Sequence, residues 1–412
     1  MHAAFLFAVS FACAAGAGAG AVVVKVSLAS AGRGGVAAWA LSNGNGTIAD
    51  VAAEVPGCVH TDLLAAGVIG EPNTGKNQLL QLWIASDNFT YSTRLRPFAL
   101  PHQLLSKRNI DLVLTGLDTD VAVAFNGKNV LRAANMHRAF VLDAVGLARP
   151  SGNTLDVSFT GPVPASEAAQ ESCASLHGGL CADAACTCPA PWPGPAPHTL
   201  LINAFLRKEQ QSFGWDFAPA TGTSGITGAP LLVGYDSGLL RDVVVDTRPA
   251  ATAGTPVPAA TALAGVAWTV TVAVRVWSTH GCSSAASLTV TLGGGLDVTT
   301  TVGVVLGVGE TARTVTLTVP ASAGAKLWWP NGYGQQPLYP LTVTLDSAGE
   351  HQNKTLRVGF RTIEIEQPAL PPGPCSLRCV ALVSMFVPHT HCRTVLNHPL
   401  TGQNHPPVSQ CG

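Results

Sequence analysis

The chain has 412 residues, enough for two or three domains at about 150 residues each. Only 11% of its residues are charged, against about 25% in an average globular protein, yet 47% are hydrophobic, which excludes a disordered chain. Lys and Arg number 23 and Asp and Glu 24, for a net charge of −1, so there is no basic field to hold nucleic acid and no polybasic run for a membrane surface.

The first twenty residues, MHAAFLFAVSFACAAGAGAG, read as a secretory signal peptide over 1–20, an apolar run followed by small residues. No later segment holds some 18 unbroken apolar residues, so no membrane span is expected. Removal of Cys13 with the leader leaves ten of the 11 cysteines, an even number suited to an oxidising compartment. Asn45, Asn88 and Asn353 each open an Asn-x-Thr triplet and are the expected glycosylation acceptors. Together these features predict passage along the endomembrane route, outside the cytosol.

From Val36 to Thr247 short β-type runs alternate with turn residues, notably Ile110 to Leu114, Val121 to Phe125, Ala139 to Leu142 and Leu155 to Phe159. Asn126-Gly127 between two apolar runs is the strongest hairpin signal. A helical turn or two is expected at Thr61 to Ala66. Residues 161–198 break the pattern with a Pro-rich loop carrying Cys173, Cys181, Cys186 and Cys188. In an exported chain that loop points to two disulfides, in any of three pairings, ahead of a zinc site completed by His177, because the paired CxxC spacing is absent.

A connector rich in Pro, Ala and Thr leads from Pro249 to Ala262. Beyond it, WTVTVAVRVW alternates so that Trp268, Val270, Val272, Val274 and Val276 share one face, and Leu288 to Leu292, Thr314 to Val319 and Leu341 to Leu345 alternate likewise. The fold class is therefore all-β: a β-sandwich over 36–247, then an immunoglobulin-like sandwich over 248–366. Residues 367–412 form an irregular tail with eight prolines and no Asp or Glu. Its Cys375, Cys379, His389, His391 and Cys392 lack the spacing and the surrounding fold of a metal site.

The stretch Arg207-Lys208-Glu209-Gln210-Gln211-Ser212-Phe213-Gly214-Trp215-Asp216 gathers ions, amides and aromatics in a chain poor in all three. An indole face packs on sugar C–H groups while a carboxylate accepts hydroxyl hydrogen bonds, so Trp215 and Asp216 are the candidate substrate-binding pair. The bland reading puts Trp215 in the core and pairs Arg207 with Asp216 or Glu209.

Several ordered motifs resemble family 2 glycoside hydrolases, and β-mannosidases in particular. They are Val55-Pro56-Gly57-Cys58-Val59-His60, Trp83-Ile84-Ala85-Ser86-Asp87-Asn88, the Arg207 to Asp216 stretch, Trp328-Trp329-Pro330-Asn331-Gly332-Tyr333-Gly334 and Gly359-Phe360-Arg361-Thr362. The resemblance covers about residues 36 to 366. It implies a jelly-roll-like first domain of sugar-binding type, an immunoglobulin-like domain and then a (β/α)₈ barrel. The implied reaction is removal of terminal non-reducing β-D-mannose from N-glycan oligosaccharides by an acid/base and a nucleophile, with no cofactor and no metal. The two catalytic glutamates belong to the barrel, which needs about 250 residues, whereas 46 follow Glu366. This chain alone is therefore expected to be inactive, with no catalytic residue of its own, and the missing barrel would be its natural packing partner. Glu364 and Glu366 read as strand solubility, Cys58 as buried or bridged, His60 as a structural hydrogen-bonding residue, and Trp328 and Trp329 as packing at a domain junction. The family follows Trp-Asp with Trp-Gly-Pro where this chain has Phe217-Ala218-Pro219. The competing class is a non-catalytic secreted carbohydrate-binding or interaction protein of two β-sandwiches.

Overall fold

A computed structural model describes residues 22–169, 206–214, 218–250, 265–280, 284–347, 349–362, 365–366 and 382–383. The leader, the four loop cysteines, Trp215, Asp216, Glu364 and the tail cysteines and histidines lie outside the described residues.

The first domain is built from β1 (Val24–Ser27), β2 (Trp39–Asn43), β3 (Val51–Ala53), β4 (Gly57–Cys58), β5 (Phe89–Ser92), β6 (Asn109–Leu114), β7 (Leu117–Asp118), β8 (Asp120–Phe125), β9 (Lys128–Ala134), β10 (Phe140–Asp143), β11 (Leu155–Thr160), β12 (Gly225–Ile226) and β13 (Leu231–Tyr235). They form a six-stranded sheet, β3-β2-β5-β11-β8-β9, facing a four-stranded one, β1-β13-β6-β10, while β4-β12-β7 make a small third sheet. All named pairs are antiparallel, and period-two alternation sends one side of each strand inward. Leu41, Tyr91, Val123, Phe125 and Val157 from the larger sheet thus meet Leu112, Leu114 and Leu232 from the smaller, all at most 1% exposed. The β8–β9 hairpin turns at Asn126 and Gly127, with φ of 52° and 79°. A type I′ turn requires positive φ at both central residues, which glycine adopts without Cβ strain. Gly127→Ala is accordingly expected to destabilise the first domain by about 1–2 kcal/mol, read as a lower midpoint in thermal unfolding.

The second domain holds β14 (Leu239–Pro249), β15 (Trp268–Ser278), β16 (Ser284–Leu292), β17 (Val298–Leu306), β18 (Gly309–Val319), β19 (Tyr339–Ser347) and β20 (Glu350–Val358). Sheets β14-β15-β18 and β17-β16-β19-β20 face each other. Trp268, Val270, Val272, Val274 and Val276 are all buried, as the alternation required, and the Trp268 and Tyr339 rings meet Phe360 edge-on at 5.1 and 5.4 Å. On the outer face, cross-strand threonine pairs close at 3.0 Å (Thr289–Thr301), 3.1 Å (Thr291–Thr299) and 2.9 Å (Thr342–Thr355), β-branched side chains on a pleated surface. This is the all-β, two-sandwich architecture that the patterning indicated. Strand β14 starts at Leu239 and pairs along its length with β15, so the second sandwich takes up the chain before Thr247.

The two sandwiches meet through polar groups. Asp111 of β6 accepts hydrogen bonds from Tyr235 Oη (2.7 Å) and from Thr279 Oγ1 beyond β15 (2.6 Å). Glu350 at the start of β20 accepts from the Ser237 hydroxyl (3.1 Å) and from the Asp236 and Ser237 amides, with Lys107 Nζ 3.7 Å away. Burial drives both carboxyls above their usual range, and the hydrogen bonds only partly offset it.

Candidate functional site

The Arg207 to Asp216 motif begins on the floor of the first domain. Gly225 of β12 lies opposite both Cys58 of β4 and Asp118 of β7. A Cβ there would come within 2.6 Å of the Cys58 Cα and the Gly57 carbonyl, so only glycine lets the three short strands close. Their closure sets Asp118 beside Lys208, which is 90 residues away in sequence.

Lys208 is wholly buried, its ammonium 2.5 Å from each Asp118 oxygen, 2.8 Å from Thr223 Oγ1 and 3.3 Å from Glu209 Oε1. A buried ammonium persists only where its charge is matched and its protons are placed, and this set does both. Glu209 in turn accepts from the Ser212 hydroxyl at 2.7 Å. Its burial works to raise its pKa, but the Ser212 bond and the Lys208 charge together outweigh that and lower it, keeping the carboxylate ionised.

A 3-10 turn, Gln210–Phe213, follows, and Gly214 departs with φ of 91°. On the return limb the Thr221 and Gly222 amides both donate to the Ser212 carbonyl, at 3.0 and 2.8 Å, and Thr223 Oγ1 donates to Asp118 at 2.9 Å. Both limbs of the segment that carries Trp215, Asp216 and Phe217 are thus fastened to one buried ion pair. Those three residues themselves lie outside the described set.

Next to this floor, helix α1 (Val59–Ala65) starts from Cys58, whose amide donates to Thr61 Oγ1 at 3.2 Å. His60 is buried, and its Nδ1 finds no hydrogen-bond partner among the described residues, against the structural hydrogen-bonding role expected for this residue. Burial, reinforced by the Lys208 charge, lowers its pKa to about 4. Tyr91 donates to Asp62 at 2.8 Å, and burial with the Asp62 charge pushes the phenol pKa up.

Cys58 is half-buried and forms no disulfide among the described residues. Arg207 is exposed, and it is Lys208 that pairs with Glu209. Trp328 and Trp329 are half-buried within the second sandwich, with the Arg361 guanidinium 4.9 Å above the Trp328 ring and Gly334 seated against Trp329. Asn45, Asn88 and Asn353 are exposed, and Glu366 lies on a two-residue strand, Ile365–Glu366, paired with Leu382–Val383. Among the described residues no three His, Cys, Asp or Glu side chains gather as a metal site, and no helix is long and apolar enough to cross a membrane. Sequence reasoning missed Asp118 and Thr223. The one local signal was the acid-rich Leu117-Asp118-Thr119-Asp120 inserted between two apolar runs.

Comparison with known proteins gives this geometry its family. Residues 39–228 match the family described as "Glycosyl hydrolase 2 galactose-binding domain-like", and residues 260–361 match "Glycosyl hydrolases family 2". The chain belongs to glycosyl hydrolase family 2 through these two N-terminal domains. It is 28% identical over 347 residues to a β-mannosidase of Capra hircus, covering 82% of this chain and 35% of the relative. It is 29% identical over 360 residues to β-mannosidase A of Aspergillus aculeatus, covering 81% and 34%. Among solved structures, the β-D-mannosidase of Dictyoglomus thermophilum superposes with a TM-score of 0.63 at 25% identity, over 83% of this chain and 37% of that one. An exo-chitosanase of Amycolatopsis orientalis shares the fold, with a TM-score of 0.53 at 15% identity. The chain spans about a third of the length of the curated relatives it matches.

Proposed function

We propose that the two sandwiches are the substrate-presenting N-terminal part of a β-mannosidase-type hydrolase, acting on terminal β-D-mannose of N-glycan oligosaccharides along the secretory route. Trp215 and Asp216 contact the sugar in this reading, and the acid/base and nucleophile come from outside residues 22–366. The observation that carries it is the double fastening of the Trp215–Asp216 segment to the Lys208–Asp118 pair, in a domain that matches β-mannosidases. A segment aimed at a ligand needs rigid support of this kind, because misplacement by an ångström forfeits much of the benefit of orientation.

The carboxyl inventory supports the assignment of chemistry elsewhere. Asp62 is engaged by Tyr91, Asp111 by Tyr235 and Thr279, Asp118 by Lys208, and Glu350 by Ser237. A retaining glycosidase requires two carboxyls about 5–5.5 Å apart across an open site, one free to protonate and the other to attack. These interior groups are committed to structural partners, and residues 367–412 contain no Asp or Glu. The purified 412-residue chain is therefore expected to release no aryl alcohol from an aryl β-D-mannoside above the buffer rate. Turnover that survives Asp216→Ala would overturn the placement of the chemistry.

A further inference from the structure

The outer face of the six-stranded sheet carries a groove that the substrate reading leaves unused. Cross-strand register lines up Ser42, Thr90, Ser158, Ala122 and Arg132 on neighbouring strands β2, β5, β11, β8 and β9. Side chains so short on an outward face leave a trough of about 250 Å³, room for one sugar ring, walled by Asn88, Thr90, Asp120, Arg132, Ser158 and Thr160. Thr90 Oγ1 donates to Ser158 Oγ at 3.0 Å, which sets the hydroxyl wall in place. Across from it, the Asp120 carboxylate and the Arg132 guanidinium have no side-chain partner among the described residues. One acceptor and one fork of donors, free and adjacent to hydroxyls, suit a neutral polyhydroxylated or amide-bearing ligand.

A source for that ligand stands on the wall itself. Asn88 begins the triplet Asn88-Phe89-Thr90. Its Oδ1 accepts the Gly161 amide at 3.0 Å, which fixes the plane of the side-chain amide and leaves Nδ2 unpartnered among the described residues. At Asn45, by contrast, Nδ2 donates to Asp87 Oδ2 at 3.2 Å while Oδ1 closes a turn onto Thr47. Asn353 lies exposed on β20, an edge strand. Glycan transfer precedes folding, so these contacts show what the fold accommodates afterwards.

We propose that Asn88 carries an N-linked glycan whose first N-acetylglucosamine ring is seated in this groove, with Arg132 and Asp120 bonding its acetamido and hydroxyl groups. In the transfer step the Asn88 Nδ2 loses one proton and forms a bond to C1 of the sugar. The C1–O bond to a lipid pyrophosphate donor breaks, and that pyrophosphate leaves with the electron pair. The glycan covers a sheet face that is otherwise open, next to edge strand β9. Exit through the secretory route is required, but neither β-mannoside binding nor turnover is.

The test is secretion of the full chain from a eukaryotic cell, followed by glycopeptide mass mapping and timed release with a peptide-N-glycanase on the folded protein. Asn88 should be occupied. Its glycan should leave the folded wild type at least tenfold more slowly than it leaves the Arg132→Ala and Asp120→Ala variants, with release at any occupied Asn353 unchanged between them. Arg132 is exposed, so its variant is expected to fold, and a matching thermal midpoint verifies this. An empty Asn88, or release rates equal in wild type and the Arg132→Ala chain, overturns the proposal.

Discussion

Lys208→Met is expected to cost the first domain about 3–5 kcal/mol, enough to unfold much of it at physiological temperature. The reason is the carboxylate left behind. Asp118 is 1% exposed and accepts from Lys208 at both oxygens, so methionine leaves a negative charge in the interior with, among the described residues, the Thr223 and Thr119 hydroxyls to bond it. The double variant Lys208→Met with Asp118→Leu should recover most of the loss, since replacing both ions with apolar groups of similar size removes the desolvation penalty along with the attraction. Stability and anchoring then separate. In the double variant Thr223 has lost both the carboxylate and the ammonium it bridged, so trypsin should cut after exposed Arg207 roughly tenfold faster than in wild type even though the melting point is restored. A double variant as trypsin-resistant as wild type would mean that the ion pair does not hold the segment. Arg33→Ala is the control: its partner Glu54 is 3.4 Å away and both are exposed, so its loss should stay within about 0.5 kcal/mol.

The contrast between those two ion pairs also explains which parts of the molecule are legible in the sequence. Burial on one side of a strand writes a period of two, which is why Trp268 to Val276 and Val121 to Phe125 declare both their strands and their buried faces. The Asn126-Gly127 turn is legible because few residue pairs tolerate positive φ twice in succession. Strands β4, β7 and β12 have two residues each, too few for any period, and they form only because Gly225 admits two neighbours at once. The Lys208–Asp118 pair closes over them and leaves no local pattern, since the two residues meet through tertiary structure alone. The Arg207 to Asp216 motif stands out by its composition, but composition does not say which of two adjacent cations goes inside. The structure buries Lys208 and turns Arg207 outward to water. Strand β9, Lys-Asn-Val-Leu-Arg-Ala-Ala, is an edge with little to bury on either side and so shows no clean alternation.

Acidification is the second large lever, and His60 sets its direction. In the unfolded chain this imidazole takes up a proton below about 6.5, whereas in the fold burial, with Lys208 nearby, delays uptake to about 4. Between those values the unfolded state binds more protons, so the His60 contribution is present in full above pH 6.5 and is lost as the pH falls towards 4. The interval corresponds to on the order of 3 kcal/mol. Asp62, Asp111 and Glu350 act in the opposite sense. Burial raises their folded values, so each favours the fold at acid pH and surrenders that contribution as pH climbs through its raised value. The difference between wild type and His60→Leu isolates the imidazole, because the three carboxyls titrate alike in both. Nδ1 has no partner to lose among the described residues, so at pH 7.5 the variant should unfold within about 1 kcal/mol of wild type. At pH 4.5 it should be the more stable of the two by roughly 2–3 kcal/mol, read from the first-domain transition in urea at a series of pH values. A constant gap between the two chains from pH 7.5 to 4.5 would show that His60 takes up its proton equally in both states, and would overturn the lowering of its pKa by burial.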